Sequence, residues 1–272
     1  MTKITLKSEQ DLVYLAQGGK ILANILQELT KLTKSGVKGS FLDQKAAEMA
    51  EKAGASCSFF NYEGYSAHLC LSTNDEVVHG LPFDKIIRED DLVSLDLGIK
   101  YKNLFTDSAV TFLVSKNKLA TKNLVKNKLI NTTFACLKRS LKYCQTGYRL
   151  GDIGFAIQSL AEKEGFSVVK KLVGHGVGYA VHEDPYVPNY GQKNTGLRLK
   201  PGMVIAIEPM LNQGTDDVLL DKNNNWSYRT ADQKLSAHFE WTVTITRNKP
   251  IVLTPLNWIK KDKIFIKKKI RL

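Results

Sequence analysis

A chain of 272 residues, 43% hydrophobic and 24% charged, has the size and composition of one large globular unit. Its formal charge of +12 points toward a polyanionic partner, yet only 7 of its 39 basic residues are arginines, which argues against sequence-specific DNA reading by arginine forks. No stretch approaches the roughly 20 apolar residues of a membrane span, and Met1 to Lys7 hold no apolar signal core. Cys57, Cys70, Cys136 and Cys144 form no Cys-x-x-Cys pair and read as free thiols. A cytoplasmic protein is the expectation.

Ser8 opens a capping-box-like Ser-Glu-Gln-Asp. Leu15, Leu22, Ile25, Leu26, Leu29 and Leu32 then recur at helical spacing, so the pattern predicts an amphipathic helix over 9–34. A second helix follows over 42–53 and stops at Gly54. Strand-like runs occupy 92–97 and 104–114. The helix pair returns near 117–143 and 152–164, now closed by Gly165, and strand-like runs return at 203–208 and 237–246. The likeness extends to residues: Ala50-Glu51-Lys52-x-Gly54-x-Ser56 recurs as Ala161-Glu162-Lys163-x-Gly165-x-Ser167, and Gly36 as Gly147. Every match has an offset of 111, which predicts an internal duplication, ααβ followed by ααβ. One catalytic domain is expected over 1–254, with halves of about 8–114 and 117–254, followed by a basic tail, 255–272. Residues 257–272 alone hold seven basic side chains and one acidic.

Four acids stand in apolar surroundings. Leu92 to Gly98 and Leu104 to Val110 flank a polar turn, and a two-residue hairpin loop would set Asp96 and Asp107 on one face, directly opposed or one pair apart. Two carboxylates among leucines and valines repel and lose hydration unless a cation offsets them. Exposed hairpin aspartates are the alternative for this pair taken alone. The second half adds His175 in a glycine-rich turn, Gly174 to Gly178, which is no phosphate loop because no Gly-Lys-Ser/Thr follows. It also adds Glu208, ending the run Met203 to Ile207, and Glu240, embedded in the strand from Ala237 to Val243. A single acid in a strand usually faces water, but four with one histidine suit hard to borderline divalent ions. Two such ions, about 3.5–4 Å apart, can share a hydroxide and polarise a carbonyl. His79 and His182 are placed to donate to a developing oxyanion or relay protons. His68 and His238 have no comparable context and read as structural.

The motifs Val77-Val78-His79-Gly80, Ser94-Leu95-Asp96, Thr106-Asp107-Ser108, Gly174 to Gly178, Ile207-Glu208-Pro209-Met210 and the Glu240 strand resemble, in order over about residues 8–254, the type I methionine aminopeptidases. The resemblance implies an α/β "pita-bread" fold, two pseudo-symmetric ααβ halves around a central antiparallel sheet. It implies hydrolysis of the N-terminal methionine from peptides and nascent proteins, with a small second residue, by a metal-bridged hydroxide. Asp96, Asp107, His175, Glu208 and Glu240 would hold two divalent ions (Co, Mn, Fe or Zn), bridged by Asp107 and Glu240. His79 and His182 would contact substrate and stabilise the tetrahedral intermediate, and Glu208 would receive the proton of the attacking water. Phe59, Tyr62, Tyr65, Cys70 and Trp226 match the family's methionine pocket, where aromatic walls and a soft sulfur suit a thioether.

Three features depart from the pattern. Val181 stands before His182 where many relatives carry an aromatic residue. Residues 214–225 are long and polar, as for a surface loop, and the basic tail is particular to this chain. The family implies a monomer without membrane or specific DNA partners, and the tail suggests attraction to ribosomal RNA. An X-Pro peptidase of the same fold is the nearest alternative; a non-enzymatic binding protein of that fold and a basic RNA-binding protein follow.

Overall fold

The first helix begins where its cap is written. The Ser8 side chain accepts from the Asp11 amide, and Asp11 accepts from the Ser8 amide, closing a capping box over α1 (Glu9–Leu32). Leu15, Leu22, Ile25, Leu26 and Leu29 are buried on one face. The structure is a computed structural model that describes residues 4–116 and 123–259. Helix α2 (Gly39–Lys52) starts three residues before the expected 42, and α3 spans Leu124–Ser140. Helix α4 (Leu150–Lys163) starts at 150 rather than 152, because the Asp152 carboxylate caps from within, accepting from the Arg149 amide at 2.8 Å.

The first half supplies β1 (Ser56–Cys57), β2 (Cys70–Thr73), β3 (Glu76–Val78), β4 (Leu92–Tyr101) and β5 (Leu104–Leu113). The second supplies β6 (Ser167–Val168), β7 (Gly174–Gly176), β8 (Glu183–Val187), β9 (Val204–Ile207), β10 (Met210–Asn212) and β11 (Val218–Leu220). It continues with β12 (Tyr228–Thr230), β13 (Ser236–His238), β14 (Trp241–Thr244) and β15 (Ile251–Val252). Among the described residues these strands pair antiparallel throughout. One sheet runs β1-β4-β2 with β5 on β4, and the other large sheet runs β15-β14-β9-β7-β8. Two small sheets, β13-β10-β6 and β11-β12-β3, complete the set.

Strands β4 and β5 form a hairpin whose two loop residues, Lys102 and Asn103, both have positive φ (51° and 62°). That is the twist-matched two-residue turn expected of a right-handed hairpin. The large sheets meet along β5. The Glu240 amide donates to Ala109 O at 3.0 Å, and the Asp107 amide donates to the Thr242 hydroxyl at 2.9 Å. The Thr111 hydroxyl bonds both His238 O and the His238 amide. Helix α1 packs on β4 and β5, while α3 packs on β10 and β13. Leu22, Leu26 and Leu29 therefore share one core with Leu95, Leu97, Ile205, Ile207 and Phe239.

Three expectations need correction. The strand 237–246 is two strands, β13 and β14, broken at Phe239–Glu240 where the chain crosses between sheets. The segment 214–225 is not a plain loop: Val218–Leu220 pair with β12. Gly174 to Gly176 form a strand, not a turn. Of the basic tail, residues 260–272 lie outside the described residues, whereas Trp258 and Ile259 pack against the core. Among the described residues no helix is long and apolar enough to cross a membrane.

Candidate metal centre

The hairpin register decides where the first two acids point. Asp96 pairs with Ala109 and Gly98 with Asp107, so both carboxylates lie on one face, one same-face pair apart. Cys70 on β2 stands opposite Asp96 on the other flank. From the second half, β7 brings His175 between β8 and β9. A Cβ at Gly174 would meet Ala206 O at 2.4 Å, and one at Gly176 would meet Asp184 O at 2.2 Å. Only glycine permits that approach of three backbones. Glu208 follows β9 and Glu240 precedes β14, each one step beyond the Ile207–Trp241 pair. The two strand ends thus deliver their acids to the face occupied by the hairpin aspartates.

His175 Nδ1 lies 2.8 Å from Gly176 O, an acceptor only, so Nδ1 carries the proton and Nε2 keeps its lone pair. Nε2 stands 3.7 Å from Glu208 Oε1 and 4.0 Å from Asp107 Oδ2. One ligand atom each from Asp107, His175 and Glu240 lie within 4.8 Å of one another. Burial, and then repulsion from Asp107, push the Asp96, Glu208 and Glu240 carboxyls well above the usual range. Asp107 is pushed up to about 7, again by burial. Among the described residues no lysine or arginine lines the cavity. Asp96 Oδ1, Asp107 Oδ1 and Glu240 Oε1 are buried without a hydrogen-bond partner. Four crowded carboxyls, a free imidazole nitrogen and orphaned oxygens are a donor set for hard to borderline divalent cations.

The other histidines stand around this cluster as neutral rings. His79 (φ 57°) follows β3, and desolvation followed by His182 lowers its pKa to about 4. His182 lies at the cavity mouth, its ring perpendicular to that of His175 at 4.4 Å, with Nδ1 3.1 Å from the Tyr62 hydroxyl. Its pKa is lowered by desolvation. His238, read from sequence as structural, is corrected: its Nε2 lies 3.6 Å from Glu208 Oε2, buried and without a hydrogen bond. Burial lowers its pKa to about 3. No local pattern marked it, because the chain break at Phe239–Glu240 turns its ring inward. His68 remains structural, bonded to Asp43 and stacked on Phe60 away from the cavity.

All twelve residues singled out in the sequence line one cavity of about 100 Å³: the four clustered acids and His175, then His79 and His182, and Phe59, Tyr62, Tyr65, Cys70 and Trp226. Tyr65 and Trp226 meet edge to face at 5.2 Å, and the Tyr65 hydroxyl donates to Gly80 O at 3.0 Å. Val181 is buried against Phe59, Tyr65 and Cys70, so an aliphatic side chain does close that wall. Sequence reading missed Val78 and Glu63, which also line the cavity.

Residues 14–247 match Metallopeptidase family M24, and the chain belongs to that family of metal-dependent peptidases. Within it the chain stands with the methionine aminopeptidases. It is 42% identical to methionine aminopeptidase 1 of Bacillus subtilis over 253 residues, covering 92% of this chain and 99% of that one. Identity to the methionine aminopeptidase of Mycoplasma capricolum is 39%, covering 92% and 98%. The crystal structure of methionine aminopeptidase from Thermotoga maritima superposes with a TM-score of 0.88 at 37% identity, covering 93% and 99%. The prolidase of Pyrococcus furiosus shares the fold, with a TM-score of 0.72 at 21% identity over 92% of this chain and 65% of that one. The expected pita-bread architecture is borne out.

Proposed function

We infer that this chain removes the N-terminal methionine from peptides and nascent proteins whose second residue is small. The observation that carries the reading is the joining, in one cavity, of a five-residue donor cluster with an apolar, sulfur-containing pocket. Asp96, Asp107, His175, Glu208 and Glu240 hold two divalent ions, of Co, Mn, Fe or Zn. Asp107 and Glu240, which come from the two large sheets where they join at β5, would be the carboxylates that serve both ions. Bound there, such ions supply a Lewis acid for the scissile carbonyl and acidify water.

The chain's own groups do the rest. Phe59, Tyr65, Cys70 and Trp226 receive the methionine side chain, whose thioether packs on aromatic faces. His79 and His182, uncharged at neutral pH, present N–H groups to the carbonyl oxygen as it gains negative charge. Tyr62 orients His182 through its hydroxyl. Glu208 takes the proton of the attacking water and returns it to the leaving amine. His238 stands behind that carboxylate, with Nε2 3.6 Å from Oε2. A cytoplasmic monomer fits this role, and the basic residues of 257–272 add salt-sensitive attraction to ribosomal RNA.

A peptide panel tests the assignment. After chelation and re-addition of single metals, Met-Ala and Met-Gly peptides should release methionine, while Met-Leu and Ala-Pro peptides should not. Release from Ala-Pro in preference to Met-Ala would assign the chain to X-Pro chemistry instead. Truncation after Pro255 should leave Met-Ala hydrolysis intact and lower ribosome co-sedimentation at low salt. Equal co-sedimentation would remove the tail from the account.

A further inference from the structure

The cavity is graded from floor to mouth. Phe59, Tyr65 and Cys70 are buried, Tyr62 and Trp226 are half-buried, and His182 and Glu63 are exposed. Substrate whose methionine lies on the floor, with its scissile carbonyl at the histidines, must leave past Tyr62, Glu63 and His182. Among the described residues, Glu63 is the one acid lining the cavity outside the buried cluster, and no lysine or arginine lines it. Its side chain makes no hydrogen bond or ion pair with any described residue. By contrast Asp43 and Glu76, acids of the same half, are each bonded to a basic partner.

The backbone holds Glu63 there firmly. Asn61 and Glu63 both have positive φ (62° and 51°), a conformation with a steric cost for residues bearing a Cβ. Three backbone bonds lock the turn: Asn61 N to Tyr65 O, Tyr62 N to Phe59 O, and Tyr65 N to Tyr62 O, all 2.8–2.9 Å. The charge is felt at the mouth. After burial, Glu63 is the second cause that raises the Tyr62 phenol, and it opposes the desolvation that lowers His182.

We propose that Glu63 is a specificity-determining residue: its unpaired carboxylate at the cavity mouth favours substrates with a basic residue just after the small second position and disfavours acidic ones there. The proposal rests on the methionine-removal reading and concerns the part of the substrate that reading leaves open. An unpaired charge at a solvated mouth acts through a high effective dielectric, so it discriminates modestly and loses effect as salt screens it. Because the two peptides compared carry opposite charges, attraction of one and repulsion of the other add.

The test compares Met-Ala-Lys-Ala with Met-Ala-Glu-Ala, using full-length enzyme reloaded with one divalent metal. At about 20 mM salt the wild-type ratio of kcat/KM, lysine peptide over glutamate peptide, should be about 3- to 10-fold, and it should approach one at about 0.5 M salt. Glu63→Gln should bring the ratio near one at low salt, and Glu63→Lys should invert it. A wild-type enzyme without the preference, or a Glu63→Gln ratio equal to that of wild type, would overturn the proposal while methionine is still released. Release of methionine from neither peptide would overturn the functional reading and this proposal with it.

Discussion

The two halves follow one plan and reach the cavity by different backbones. In the first, β4 and β5 form an unbroken ladder around a two-residue turn, and Asp96 and Asp107 come from its interior. In the second, the corresponding antiparallel pair β9 and β14 is joined only through residues 208–240. Its acids, Glu208 and Glu240, stand just where that pair ends. The side chains differ accordingly: short aspartates inside a ladder, longer glutamates at strand ends. The excursion between Glu208 and Glu240 also carries Trp226, a pocket wall, and Tyr228, whose ring meets that of His79 at 6.0 Å. The two pseudo-symmetric halves thus each supply two acids to one cluster, and the longer connection of the second adds Trp226 to a pocket otherwise walled by Phe59, Tyr62, Tyr65 and Cys70 of the first.

Substitution of the acids probes that division most strongly. Asp107→Asn and Glu240→Gln, at the junction of the halves, should each lower activity by about 10³-fold or more, since they remove groups proposed to serve both ions. Their loss of bound metal, read by atomic absorption, should exceed that of Asp96→Asn or Glu208→Gln. Equal metal loss in all four would break the distinction between junction and flanking acids.

The halves are also tied by the N-terminal arm. Lys7 Nζ lies 2.6 Å from Glu183 Oε2, with both side chains nearly fully buried, beside His182 and against Gly178. Glu183 also accepts from the amides of Tyr179 and Ala180. Lys7→Met leaves a buried carboxylate without its cation and should cost about 3–5 kcal/mol in denaturant unfolding. A loss under about 1 kcal/mol would show that the arm does not hold the His182 loop.

The two histidines proposed to meet the substrate carbonyl come one from each half, and they sharpen the comparison. His79→Ala and His182→Ala should each reduce kcat by about 10²-fold with metal content unchanged. Metal lost together with activity in either variant would make that half's histidine a ligand.

The smallest expected effect is one of pH. Asp107 has its pKa raised to about 7, so below that pH the metal-free protein holds a proton where a cation must bind. Metal affinity should therefore weaken as pH falls below about 7, by roughly tenfold per unit for each proton displaced. Titration calorimetry in buffers of differing ionisation enthalpy would reveal the released protons; pH-independent affinity from 6 to 8 would contradict the crowding of these carboxyls.

Much of this was legible in sequence because it is local. The Ser8 capping box, the leucine stripe of α1 and the hairpin turn at Lys102–Asn103 depend on neighbours a few residues apart, and the 111-residue repeat announced the second helix pair. The resemblance carried by ordered motifs named twelve of the fourteen cavity residues, all but Glu63 and Val78. What stayed hidden depends on contacts between distant segments. The break at Phe239–Glu240 follows from the junction with β5, where Thr111 bonds His238 across 127 residues of chain. That junction turns His238 toward Glu208, a placement that an alternating strand pattern does not encode. The arm is another case: Lys7 meets Glu183 from 176 residues away, and neither residue carries a local mark of the pairing. Glu63 reads as an ordinary surface acid until the turn around it is closed against Phe59 and Tyr65. Periodicity and capping report on forces within a few residues, whereas burial of charge and the facing of side chains across sheets exist only once the chain is folded.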